Sequence, residues 1–158
     1  MEIILLSLAL VFLLLFLTSL IKVKKSNKKI NFIYSWGCLL GAFVWEDLLV
    51  FSFYFLAITL ITLLVQDVHI WILFVLIFWM VRSSGEALYF FLQQFIVPKH
   101  YPHDLAEHIK RYTLVSSRLS DQQVMILMQV FYQVMLTITI GTLVLFLLNW
   151  NSIPIWIY

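Results

Sequence analysis

Four apolar runs, each long enough to cross a bilayer, constrain this chain more than any other feature. A hydrocarbon core about 30 Å thick is crossed by about 20 residues of helix. Lipid offers backbone groups no hydrogen bonds, so a spanning helix must satisfy its own. The runs cover residues 3–21, 36–65, 68–97 and 124–148, and two basic segments, 22–35 and 98–123, separate them. The expected fold is all-α: a polytopic integral membrane protein with four transmembrane helices in a single domain over residues 1–158. Only Gln66 and Asp67 divide the second run from the third, which predicts a tight helical hairpin there.

Composition supports this and excludes the main alternatives. Of 158 residues, 63% are hydrophobic and 11% charged, whereas a soluble domain carries about 25% charge. A soluble globular chain would have nothing to cover its surface, and a disordered one would be polar and poor in aromatics. A nucleic-acid-binding role would require a soluble basic face. The first run reads as a span rather than a cleaved leader, because its positive charges follow it. The single cysteine, Cys38, excludes an intrachain disulfide framework and reads as a small buried or lipid-facing residue.

Charge distribution sets the expected orientation. Lys22, Lys24, Lys25, Lys28 and Lys29 cluster without an acid among them, and Lys99, Lys110, Arg111 and Arg118 lie in the second basic segment. Basic segments beside spans mark the cytoplasmic side and attract anionic lipid headgroups. Four spans put both segments on that side and both termini on the other. The expected location is a bacterial cytoplasmic (inner) membrane.

Ionisable groups within apolar runs are costly and need a reason. Glu46 and Asp47 fall in the second run, Arg82 and Glu86 in the third. Arg82 and Glu86 are spaced i,i+4, which places them on one helix face. Two readings stay open for these four residues. They fasten the hairpin by mutual neutralisation, or the surplus acids form an ion or proton entry site or half of a metal or substrate site. Tyr89 and Gln93 continue the Arg82–Glu86 face. The fourth run carries Gln129, Gln133, Thr137 and Gly141 at spacing four, a stripe expected to turn toward protein as interhelical glue. Gly37 and Gly41 form a GxxxG pattern expected to pack closely on a neighbouring helix.

The second basic segment holds His100, His103 and His108 beside Asp104 and Glu107, residue types that ligate zinc or iron. Their spacing fits no established metal motif. The alternative is an amphipathic interfacial helix with Leu105, Ile109 and Tyr112 toward lipid and Lys110 and Arg111 toward headgroups. His69, at the hairpin turn, is expected to be an exposed interfacial residue. Ser120 and Gln123 form a capping-box pattern that predicts the start of the last helix. No soluble-nucleotide fingerprint is present.

Two functions are compatible with this pattern. The first is a small membrane protein acting by association, as a homo-oligomer or as a subunit of a larger membrane complex, with an ion or proton path near Arg82 and Glu86. The second is a membrane enzyme acting on a lipid or quinone at the inner leaflet through carboxylate and histidine chemistry, with or without a metal.

Overall fold

The computed structural model describes residues 2–26, 33, 41–95, 106, 107, 109, 110, 118–150 and 152. Among them are four helices: α1 (Glu2–Lys25), α2 (Trp45–Val65), α3 (Val68–Gln93) and α4 (Asp121–Leu148). All four are long and apolar enough to cross a membrane. The chain divides into two compact units, Met1–Val75 with Leu148–Tyr158, and Leu76–Leu147.

In the first unit α1 packs on α2. The buried residues of α1 are Leu5, Ala9, Phe12 and Ser19, whose three- and four-residue steps keep them on one face. The buried side of α2 carries Leu48 and Phe55 among small hydroxyl residues, Ser52, Thr59 and Thr62. Small residues let two backbones approach closely, which matters where lipid tails are as apolar as leucine. The hydroxyls of Ser52 and Thr59 donate to carbonyls one turn back, Leu48 O at 2.6 Å and Phe55 O at 2.7 Å, so they reach this face without an unmet donor. The rings of Phe12 and Phe55 stack at 5.3 Å with 19° between planes.

The α2–α3 link consists of Gln66 and Asp67, and each has a defined task. Gln66 adopts the left-handed conformation, φ 58°, and its N–H donates to Thr62 O at 2.8 Å, closing the C-terminus of α2. The carboxylate of Asp67 accepts the backbone N–H of His69 at 2.9 Å, which caps the start of α3. Two side-chain bonds then tie α2 to the first turns of α3. Tyr54 Oη donates to Phe74 O at 2.8 Å, and Trp71 Nε1 donates to Thr59 Oγ1 at 3.1 Å.

Two boundaries differ from the apolar runs. Helix α2 begins at Trp45 and not near residue 36. Gly41 has φ 69° and lies in a turn, and Val44 is extended at φ −127°. The GxxxG reading of Gly37 and Gly41 as one helical packing face is corrected accordingly: Gly41 serves a left-handed turn, a conformation glycine adopts without strain. Gly37 lies outside the described residues. Helix α3 ends at Gln93 and gives way to a turn through Gln94 and Phe95. At α4 the reciprocal capping box forms: Ser120 N–H donates to Gln123 Oε1 at 2.8 Å, and Gln123 N–H donates to Ser120 Oγ at 3.2 Å.

Replacing Phe55 by alanine removes the ring stacked on Phe12 and is expected to cost about 3 kcal/mol. The half-exposed Ile61→Ala, on the same helix, is expected to cost well under half of that. Helicity followed through a denaturing-detergent titration reads both values; equal losses would contradict the packing described.

Candidate functional site

The two acids of α2 occupy its first turn. The positive end of a helix dipole favours carboxylates there. Asp47 Oδ2 accepts the N–H of Phe43 at 3.4 Å, supplying a partner at a helix start where Val44 has no capping side chain. Glu46 is exposed. A helix of 21 residues is about 30 Å long, enough to cross a hydrocarbon core with these carboxylates at its end. Lys22, near the end of α1, sits 5.6 Å from the centre of the Trp45 ring, a cation–π contact at the same end of α2.

The second unit holds the ionisable pair. Arg82 Nη1 lies 2.6 Å from Glu86 Oε1, one turn away on α3, with side chains only 18% and 10% exposed. An arginine and a carboxylate this close are mutually neutralised, which lets α3 carry both through an apolar layer. Phe90 continues the buried side of α3, its ring stacked on that of Tyr132 of α4 at 5.8 Å and 12°. Above this pair Gln94 donates from Nε2 to Gln129 Oε1 and to Phe90 O. The amide hydrogen bond to α4 therefore comes from Gln94, in the turn after α3, and not from Gln93, which is half-buried beside it. Tyr89 is also half-buried.

Ser83 is the exception in this layer. It is fully buried, and its hydroxyl has no hydrogen-bond partner among the described residues. Other helix hydroxyls, such as Ser19, Thr59 and Thr139, donate to a carbonyl four residues back. Thr62 Oγ1, buried in the first unit, shares the condition of Ser83.

Along α4 the glutamine stripe divides. Gln129 is engaged with Gln94, but Gln133, Thr137 and Gly141 are exposed. Within the described residues of this chain the expectation that the whole stripe turns toward protein is met by Gln129 alone. The stripe drifts around the helix, because four residues exceed one turn of 3.6. Only its first member reaches Gln94, in the turn after α3.

Several histidine readings also change. His69 is buried at 7% exposure and not an exposed interfacial residue. Its Nδ1 lies 2.9 Å from Asp67 Oδ1, and its ring lies 5.2 Å from that of Trp150. A carboxylate only accepts, so Nδ1 carries the proton in this pair. Ile109 is buried within the protein at 1% exposure, together with Ala106, and so does not face lipid. Lys110 reaches Asp121 of α4 at 2.6 Å and does not simply point to headgroups. Helical backbone occurs at 106, 107, 109 and 110, and Glu107 is exposed. His100, His103, Asp104 and His108 lie outside the described residues. Among the described residues no group of three or more His, Cys, Asp or Glu is placed to hold a metal. Sequence reasoning missed Ser83 and Gln94, since neither lies on the stripe that Arg82 and Glu86 define.

Glu86→Gln is expected to destabilise the protein by about 3 kcal/mol, because it removes the carboxylate charge paired with a largely buried guanidinium. Joint replacement of Arg82 and Glu86 by leucine is expected to recover that loss. If the double variant is as unstable as the single one, the pair does more than neutralise itself. Ser83→Ala is expected to raise stability by about 1 kcal/mol, by removing a buried hydroxyl without a partner; a loss in the same denaturation assay would reveal a partner for Ser83. No protein-family model, curated protein or solved structure matches this chain.

Proposed function

We propose that this chain is a small multi-pass membrane protein that acts by association, as a homo-oligomer or as a subunit of a larger membrane complex. One observation carries the reading. Gln133, near the middle of a helix long and apolar enough to cross a membrane, is exposed, and its side-chain amide has no partner among the described residues. Hydrocarbon cannot satisfy an amide. A protein neighbour at that depth can.

The four spans and the two basic segments support an orientation with both termini outside and both basic segments on the cytoplasmic side. The membrane is then a bacterial cytoplasmic membrane, and anionic lipid headgroups meet the lysine cluster. An ion or proton path near Arg82 and Glu86 is the less favoured version. The glutamate is already held by the arginine at 2.6 Å, which suits fastening better than conduction.

Native mass spectrometry of protein released gently from its own membrane tests the association. Multiples of 18.7 kDa, or additional subunit masses, are the expected result. A bare monomer at all concentrations would contradict it.

A further inference from the structure

We infer that the occupant of the exposed α4 face is a second copy of this chain, joined in parallel about a two-fold axis along the membrane normal at Gln133, Thr137 and Gly141. This rests on the association reading above and names its partner and surface.

The face is defined by helix geometry. The buried side of α4 is marked by Val124, Met128, Tyr132, Thr139 and Phe146. At 3.6 residues per turn, Gln133, Thr137 and Gly141 centre on the opposite side, with exposed Val130 and Val144 among them. The polar stripe therefore points directly away from the buried side of α4.

Three features select a second copy. The first is hydrogen-bond complementarity. A primary amide offers both donors and an acceptor, so one Gln133 satisfies another. The second is depth. Two copies insert in the same orientation, and a two-fold axis along the normal brings each residue on it to its own equivalent at the same depth. The third is charge. In a parallel pair the α4 N-termini come together, and each Asp121 is already paired with its own Lys110 at 2.6 Å, which removes the like-charge penalty. Close approach is open as well. The Thr137 hydroxyl is turned back to Gln133 O at 2.9 Å, and a Cβ added at Gly141 would meet no heavy atom of the rest of the chain within 4 Å. Small residues at spacing four are what a close helix crossing in lipid requires.

Disulfide trapping in membranes tests this, in a Cys38→Ser background that removes the native thiol. Thr137→Cys and Val144→Cys, on the proposed axis, are expected to form dimers under mild oxidant. Phe131→Cys and Ile138→Cys are exposed on the flank of α4 and are expected to stay monomeric. Adding Gln133→Leu to Thr137→Cys is expected to lower the dimer yield about tenfold, the scale of one interhelical amide pair. Gly141→Ala adds only a Cβ, which has room in its own chain, so a comparable loss there reports on the neighbour alone. If native mass shows an oligomer while the flank positions trap as well as the axis positions, or the axis positions stay silent, this surface is wrong and the association reading stands. If the protein is a monomer and nothing traps, both fall.

Discussion

Inside a bilayer a polar group has no solvent to fall back on, and most of this structure follows from that constraint. Its helices carry hydroxyls, amides and charges through apolar runs, and nearly all are met at short range. Ser52 and Thr59 bond to carbonyls of their own helix, which lets them be buried without an unmet donor. Arg82 and Glu86 neutralise each other within one turn of α3. Tyr54 and Trp71 spend their donors tying α2 to α3. Local satisfaction of this kind leaves α1 and α2 free to pack on each other.

The same constraint separates fastening from function. Three carboxylates around one arginine suggest a surplus that invites chemistry. Glu46 and Asp47 belong to the first turn of α2, where a helix start favours negative charge, and Glu86 belongs to Arg82. Once those groups are accounted for, the exposed amide of Gln133 stands out, since a helix facing only lipid gains nothing from it.

Much of this was legible in the residues. The four apolar runs, the two-residue turn at Gln66 and Asp67 and the capping box at Ser120 each encode a local rule, and the helices follow those rules. The start of α2 was not legible, because residues 36–44 are as apolar as the helix itself and composition does not reveal the positive φ of Gly41. The direction of the α4 stripe was hidden for another reason. Periodicity shows that Gln129 and Gln133 nearly share a face, but only packing decides that Gln129 meets Gln94 while Gln133 meets none of the described residues. His69 was misjudged because a turn position suggested exposure, whereas the cap at Asp67 and the ring of Trp150 enclose it.

Energy transfer between donor- and acceptor-labelled copies, diluted stepwise with lipid in one bilayer composition, tests the central claim most directly. The account predicts transfer that persists on dilution for the native chain and falls away at about tenfold higher protein-to-lipid ratio in Gln133→Leu. Identical dilution curves for the two proteins would contradict it.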